Sequence, residues 1–263
     1  MAQLVSAPGL GPGGPPFESG YPDKAGLNRL YFWLMIKFLR RVVVWLLIVF
    51  FGSSIGMVFV YKYLPVYITP LMVIRLFDQH KAGKELRLKH TWVPMEKINN
   101  SLPLAVWASE DQRFFTHKGF DLKEIDNAVK ERNKGGRQRG ASTITQQTAK
   151  NVFLWPAQSW LRKGLEAYFA TLIELIWDKQ RIMEVYVNSI EMGDGIYGAQ
   201  AAATIFYGHG AAALTKEESA LIAAALPSPL KRSCTKPGPY MQQRQKEILR
   251  QMKLLGGRFP QDR

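Results

Sequence analysis

Two polar segments carry the side chains of this chain that are best suited to chemistry. The first, residues 109–121, reads SEDQRFFTHKGFD, and the second, residues 140–151, reads GASTITQQTAKN. Both place polar side chains at helical spacing where an amphipathic helix would place Leu, Ile or Val. Polar faces of this kind usually line a cleft, so the two segments are the first candidates for a functional site.

An acidic pair, Glu110 and Asp111, lies between the apolar residues 102–108 and the aromatic residues Phe114 and Phe115. Apolar surroundings raise the pKa of a carboxyl group toward the range useful for proton transfer. Glu110 is therefore a candidate for proton transfer. The competing interpretation is a surface Glu-Asp pair at a helix end, which is the commoner role of such a pair in isolation.

The second segment predicts a helix with a polar face. Thr143, Gln147 and Lys150 follow one another at i, i+4 and i+7, and Ser142 is in position to be the N-cap. Hydroxyl, amide and ammonium groups on one face suit an oxygen-rich ligand. A solvated face would also be polar, so both interpretations stay open at this point.

A third cluster is strongly cationic. Arg162 and Lys163 lie within one helical turn of Glu166, a spacing that an exposed ion-pair network also adopts. The wider region of residues 130–163, however, has Glu131 as its one acid against these basic residues: Lys130, Arg132, Lys134, Arg137, Arg139, Lys150, Arg162 and Lys163. Such a local field favours a phosphate group.

Composition limits the partners. The formal net charge of +14 predicts an anionic partner, which can be nucleic acid, an anionic bilayer or a phosphorylated substrate. Nucleic acid is disfavoured because the aromatic residues are not interleaved with the basic ones as a stacking platform requires. The single cysteine, Cys234, excludes an intrachain disulfide, and the scattered histidines contain no HExxH pattern, which argues against zinc.

Residues 42–60 contain no charged side chain and are long enough to cross a membrane. A buried globular helix is the alternative, but aromatic and basic residues flank this run as they do at membrane interfaces. The excess of basic residues before the run predicts a cytoplasmic N-terminus and an uncleaved signal anchor. The predicted organisation is a disordered basic cytoplasmic tail (1–41), a transmembrane anchor (42–60), a membrane-proximal connector (61–89) and a catalytic domain (90–263).

Beyond the anchor the sequence predicts helices almost throughout, and strand-like alternation is scarce. Helix caps are expected at Asp121 and Thr215, each followed three residues later by a glutamate. Apolar periodicity predicts helices over residues 160–176 and about 179–190, and a further helix from Pro239 to a stop at Gly256.

Five ordered segments resemble the peptidoglycan glycosyltransferase family, which includes domains of class A penicillin-binding proteins. They are EDQRFFTHKG (110–119), GASTITQQTAKN (140–151), RKGLE (162–166), KQRIMEVYVNSIEMGDGIYG (179–198) and ALIAAALPSP (220–229). The resemblance covers about residues 90–245, and the chain is most similar to monofunctional, anchored members from Gram-negative bacteria. It implies a mainly α, lysozyme-like domain with a small membrane-contacting lobe, preceded by one transmembrane helix.

The same resemblance implies the polymerisation of lipid II into β-1,4-linked glycan strands, with inversion and release of undecaprenyl diphosphate. Glu110 would be the general base, and Glu166 would assist near the diphosphate, directly or through a divalent cation such as Mg or Mn, although no cofactor is required. Substrate binding would involve Asp111, Phe114, His117, Ser142, Thr143, Gln146, Gln147, Lys150, Asn151, Arg162 and Lys163. The implied partners are lipid II, the growing strand, inner-membrane lipid and proteins of cell division or cell-wall synthesis, with the catalytic domain in the periplasm.

Two other classes of protein remain as alternatives. A lysozyme-like lytic enzyme could use Glu110 as an acid, but it has no need of a cluster that binds diphosphate. A membrane-anchored scaffold would need none of the five segments.

Overall fold

The computed structural model describes residues 24–133, 142–157 and 159–260, with side chains from residue 28 onward. The chain divides into two units, Met1–Ser53 and Ser54–Arg263. The second unit contains all the segments that the sequence singles out for chemistry.

The first helix, α1, runs from Lys24–Tyr63, and residues Asn28–Tyr63 are long and apolar enough to cross a membrane. Within the predicted disordered or basic tail, the Gly- and Pro-rich residues 1–23, to which the prediction of disorder applies, lie outside the described part. The basic residues 24–41 are helical and continue into the apolar run, because a helix continues through charged side chains and these residues are mostly good helix formers.

The predicted connector, residues 61–89, contains a helix of its own. Helix α2 spans Pro70–Lys81, and its N-cap Thr69 accepts a hydrogen bond from the amide of Met72. The side chain of Met72 is fully buried, so α2 packs against the domain.

Eight further α-helices are described. They are α3 (Ser101–Glu110), α4 (Leu122–Asn133), α5 (Ile144–Phe153), α6 (Trp160–Ile176), α7 (Lys179–Ser189), α8 (Gly198–Tyr207), α9 (Lys216–Ala225) and α10 (Pro239–Leu254). Short 3-10 turns occupy Met95–Lys97 and Ala211–Ala213. The mainly α class is confirmed, as are the caps at Asp121 and Thr215 and the bounds of α6.

A small sheet links the connector to the domain. It contains β1 (Lys89–His90), β2 (Glu191–Gly193) and β3 (Ile196–Tyr197) in the order β1-β3-β2, with β1 parallel and β2 antiparallel to β3. Gly198 follows β3 with a φ of +80°, and a Cβ there would lie 2.4 Å from the carbonyl oxygen of Asn188. Only glycine fits here, because the end of α7 packs directly against the backbone of residue 198. This close packing sets the position of β2.

Most residues of the helix that ends in Glu110 are buried. The side chains of Leu102, Leu104 and Val106 on α3 are fully buried in the main hydrophobic core. Because these apolar side chains fix the helix, its last residue is presented at a defined place on the edge of the core.

Candidate active site

Glu110 is half-buried at the C-terminal end of α3. One carboxylate oxygen accepts a hydrogen bond from Gln147 Nε2 at 3.0 Å, and the other accepts one from Ser109 Oγ at 3.3 Å. Burial raises the pKa of Glu110 above its ordinary value, and these hydrogen bonds and the positive charge of Arg244 partly oppose the rise. The group is thus a stronger base than an exposed glutamate.

The amide of Gln147 is held in one orientation by a buried tyrosine. Tyr186 on α7 donates its hydroxyl proton to Gln147 Oε1 at 3.0 Å, so the amide nitrogen points toward Glu110. Burial raises the pKa of Tyr186 well above its ordinary value, which keeps the hydroxyl a neutral donor. The sequence analysis assigned no role to Tyr186, although a buried tyrosine hydroxyl generally requires a partner.

Asp111, next in the chain, joins three elements beneath the site. Its carboxylate accepts a hydrogen bond from His117 Nε2 at 2.9 Å and one from the amide of Ile144 at 3.1 Å, at the start of α5. Asp111 and His117 are both buried, and Phe114 is fully buried. Because His117 and Phe114 are buried, their positions favour a role in holding the residues around Glu110 in place. Direct contact of these two side chains with a substrate is less favoured.

The N-cap of α5 is Thr143, and the prediction of Ser142 is wrong. Thr143 and Gln146 form a capping box, in which each side chain accepts a hydrogen bond from the other residue's backbone amide. Ser142 has no Glu or Gln three residues later, whereas Thr143 does, so the sequence contained the signal. The hydroxyl of Thr143 also donates to the carbonyl of Gly119 at 2.6 Å, and Thr143 therefore does not share the outer face of Gln147 and Lys150.

A cavity of about 600 Å³ is bordered by Gln147, the hydrogen-bond partner of Glu110, and is here called the cationic cavity. Its polar border includes Gln147, Lys150, Asn151 and Arg162, four of the residues predicted to bind substrate. Apolar side chains on the segments that follow α5 and α9 add to the border, namely Leu154, Trp155, Pro156, Ala157, Leu226, Pro227 and Pro229. The mixed lining suits a ligand that has an anionic group attached to an apolar chain.

Glu166 is buried beside this cavity and organises its cations. Arg162 Nη1 donates to one carboxylate oxygen at 2.7 Å, and Lys163 Nζ donates to the other. Arg162 Nε is buried without a hydrogen-bond partner among the described residues, while burial lowers the pKa of Lys150 against the opposing charge of Glu166. The basic residues Lys134, Arg137 and Arg139 lie outside the described part.

The donor set around Glu166 does not fit a resident divalent cation. Both oxygens of Glu166 already accept from cationic side chains, and in the described ranges no three His, Cys, Asp or Glu side chains come close enough to hold a metal. A divalent cation at this place would also be repelled by the positive charges of Lys150, Arg162 and Lys163. We therefore derive no chemical step through a metal at this position.

A second cavity, of about 420 Å³, lies on the other side of Glu110 and is here called the acidic cavity. Its border includes Glu110, Asp111, Glu124, Ser142 and Arg244. Glu110 borders this cavity and its partner Gln147 borders the cationic cavity, so the hydrogen-bonded pair lies between the two. A base in that place can act on a group in one cavity while a leaving group occupies the other.

The pH dependence of the reaction should reveal Glu110. Because burial raises its pKa, kcat/KM should fall on the acid side through a pKa above the ordinary glutamate value of 4.5. Arg244 lowers that pKa by its charge, so Arg244→Gln should move the acid limb to higher pH. A pH–rate profile of both proteins measures the shift, and an acid limb that stayed in place or moved downward would contradict this account of Glu110.

The fold and the site together define a class of protein: a mainly helical protein that combines one half-buried carboxyl group of raised pKa with a nearby cationic cavity. Comparison with known proteins identifies the family. The family model described as Transglycosylase matches residues 79–253, and the chain belongs to this transglycosylase family.

Curated relatives extend the similarity over most of the chain. A biosynthetic peptidoglycan transglycosylase of Bacteroides thetaiotaomicron is 57% identical over 227 residues, which are 86% of this chain and 91% of the relative. Proteins of the same name from Caulobacter vibrioides and Pseudomonas putida are 49% and 47% identical, covering 81% and 85% of this chain and 90% and 93% of their own lengths. The predicted glycosyltransferase family is confirmed.

Proposed function

We propose that this transglycosylase polymerises lipid II into β-1,4-linked peptidoglycan strands and releases undecaprenyl diphosphate with inversion at the anomeric carbon. The observation that carries this proposal is the position of Glu110, a carboxyl group of raised pKa that borders the acidic cavity and accepts a hydrogen bond from Gln147 at the border of the cationic cavity. The names of the relatives support peptidoglycan as the product.

In the proposed reaction, the acceptor sugar lies on the acidic-cavity side and the donor diphosphate lies in the cationic cavity. Glu110 accepts the proton of the acceptor 4-hydroxyl while that oxygen forms a bond to the anomeric carbon of the donor. The bond between the anomeric carbon and the diphosphate oxygen breaks on the opposite face, which inverts the configuration. Lys150 and Arg162 stabilise the negative charge that develops on the leaving diphosphate, because fixed cations act strongly where water is excluded.

The remaining predicted ligands have graded support from their positions. Gln147, Lys150, Asn151 and Arg162 border the cationic cavity, and Ser142 borders the acidic cavity. Lys163 is outside the cavity border and pairs with Glu166, which also holds the border residue Arg162. Gln146 is buried in the capping box, so its proposed contribution is to hold the α5 terminus in place. Activity without cofactors, and any assistance by Mg or Mn, remain predictions that turnover with and without a chelator would test.

A lytic enzyme is the other function that a carboxylate of raised pKa would serve. The full chain in detergent should convert labelled lipid II into long glycan and should leave preformed glycan intact. Shortening of preformed glycan without polymer formation would favour the lytic alternative.

A membrane surface is the second proposed partner. Beyond residues 42–60, exposed apolar side chains cluster from the end of α1 to the start of α2 and around the start of α6, where they include Tyr63, Leu64, Tyr67, Ile68, Trp155, Trp160 and Leu161. The apolar segments 63–77 and 152–160 divide between surface and core, since Val66 and Leu154 are buried. A lipid-linked substrate makes contact with a bilayer useful, because its chain leaves the membrane only at high cost.

The proposed topology places the N-terminus in the cytoplasm and the catalytic unit in the periplasm of the inner membrane, where lipid II is polymerised. Basic residues before residue 42 favour this orientation. A periplasm-dependent reporter fused after Arg263 should be active, and a cytoplasm-dependent reporter at the same position should be silent. The reverse pattern would overturn the orientation. Proteins of cell division or cell-wall synthesis remain predicted partners.

A further inference from the structure

Helix α2 forms a wall of the cationic cavity. Leu71 and Arg75, one helical turn apart, border this cavity together with Lys150 and Arg162. Both residues precede residue 79, where the family match begins. The sequence analysis treated this stretch as part of a connector, and the family match assigns it no role.

The wall is firmly attached to the domain. The Gln79 side chain accepts a hydrogen bond from the amide of Arg87 at 2.8 Å and donates to the carbonyl of the same residue at 3.3 Å. It also donates to Asp194 Oδ1 at 3.4 Å, in the turn between β2 and β3. With Met72 buried as well, α2 presents Leu71 and Arg75 to the cavity from a fixed position.

Arg75 is held by a buried carboxylate. Its Nε and Nη2 atoms both donate to Glu191 Oε2 at 3.3 Å, and Tyr197 donates its hydroxyl to the other oxygen of Glu191 at 3.3 Å. The side chain of Glu191 is only 7% exposed, whereas that of Arg75 is 31% exposed. The guanidinium group is therefore oriented from one side and accessible from the other.

A purely structural role explains this pair less well. Attachment of α2 could be achieved by apolar side chains, which stabilise a fold at least as well as a buried ion pair does. Arginine also presents five donors in a planar fork that matches phosphate geometry, so two bonds to Glu191 leave donors for a ligand.

The charges around the cavity fit a diphosphate. Among the described border residues, Arg75, Lys150 and Arg162 are cationic and Glu191 is the carboxylate that opposes them. Leu71 adds to the apolar border formed by Leu154 and Trp155, beside which the first units of a lipid chain would pack.

We propose that Arg75 is a further substrate-binding residue, which contacts the lipid-linked diphosphate from the α2 side of the cavity that Lys150 and Arg162 also border, and is positioned for this contact by Glu191. The inference rests on the proposed function, because it takes the donor to be a lipid diphosphate. It extends the binding site to a helix that lies before the matched family domain.

Direct binding tests this inference without turnover. The full chain in detergent micelles is titrated calorimetrically with farnesyl diphosphate and with farnesyl monophosphate. Arg75→Met should weaken binding of the diphosphate by about ten-fold or more, as expected for loss of one charge-assisted hydrogen bond. The matched control is Lys81→Ala, which removes one positive charge from the exposed end of the same helix and should leave the affinity unchanged.

A double variant separates contact from charge balance. Arg75→Met alone leaves Glu191 buried and unpaired, which both repels an anion and destabilises the fold. Arg75→Met/Glu191→Gln removes both charges and should regain thermal stability while its affinity for the diphosphate stays at least about ten-fold reduced.

The outcomes are distinct. Near-native affinity in the double variant would show that Arg75 only neutralises Glu191, and would overturn the proposed contact. Equal losses of affinity for Arg75→Met and Lys81→Ala would show that positive charge anywhere on α2 attracts the ligand, and would also overturn the proposed contact. If Lys150→Ala lost affinity while Arg75→Met did not, the inference would fail and the proposed function would stand. If the unmodified chain showed no preference for diphosphate over monophosphate, both would fall.

Discussion

Glu110→Gln should abolish polymerisation while leaving the protein folded. The amide keeps the size of the side chain, and its carbonyl oxygen can still accept the hydrogen bond that Gln147 donates. It cannot take the proton of the acceptor hydroxyl, and removal of a general base typically costs ~10²–10⁴-fold in rate. The loss should appear in kcat, with KM little changed. The measurement is lipid II turnover under saturating and subsaturating substrate.

Thermal unfolding of the same variant is the control, and the direction of its change follows from the pKa of Glu110. Burial raises that pKa in the folded protein, so the proton-bound form stabilises the fold at low pH and this contribution is lost as the pH rises through the folded-state pKa. At neutral pH the charged carboxylate is therefore unfavourable to folding, and Glu110→Gln should unfold at the same temperature or higher. Near-native turnover in a folded variant would exclude Glu110 as the base and would leave Glu166 as the candidate for that role.

Asp111→Asn provides the matched comparison one residue along the chain. Asp111 joins His117 to the start of α5 through Oδ2, and His117 Nε2 also lies 3.0 Å from Oδ1. The substitution replaces one of these acceptor oxygens by an NH2 group that can only donate. Its effect should be a lower unfolding temperature with a smaller loss of turnover than in Glu110→Gln. The two variants therefore distinguish a residue that takes part in the reaction, whose loss lowers turnover, from one that supports the fold, whose loss lowers the unfolding temperature.

Local patterns were sufficient to predict much of this fold. The bounds of α6 follow from apolar residues at helical intervals, and the capping box at Thr215 follows from a hydroxyl and a glutamate three residues apart. Glu110 was selected for a similar reason, because apolar and aromatic residues flank it in sequence, and the structure shows that most of the α3 residues before it are buried. Each of these signals lies within about one or two helical turns of the residue concerned.

Contacts between distant segments could not be predicted in this way. Tyr186 and Gln147 are separated by 39 residues, and Arg75 and Glu191 by 116. Nothing in the neighbourhood of Arg75 distinguishes it from any other basic residue of a connector. Its role depends on the turn that brings β2 beside α2, which is a property of the assembled fold. The N-cap at Thr143 differs from these cases, since the capping box was present in the sequence and Ser142 was chosen without applying it.

Arg162→Ala should be the most damaging change in the cationic cluster. Arg162 borders the cavity and its side chain is 12% exposed, whereas that of Lys163 is 46% exposed. The substitution removes a charged donor from the leaving diphosphate and one of two cations from buried Glu166. A charge-assisted hydrogen bond is worth ~1.5–3 kcal/mol, so turnover should fall by ~10–100-fold, and breaking a buried ion pair should lower stability by up to ~3–5 kcal/mol.

The same assay on variants of two lysines, Lys163 and Lys253, decides whether the cationic cluster acts through the positions of its side chains or through charge alone. Lys163→Ala should reduce turnover by about ten-fold, less than Arg162→Ala, because Lys163 supports Glu166 from a more exposed place. Lys253→Ala, on the last turn of α10, removes the same charge far along the chain from every motif and should have little effect. If all three variants lost turnover equally, the basic residues would serve only as a field that attracts anionic membrane lipid. A graded series in the order Arg162, Lys163, Lys253 that persists at a temperature where thermal unfolding shows all three variants folded favours instead a leaving group bound beside Glu166, since a bound anion distinguishes cations by their positions.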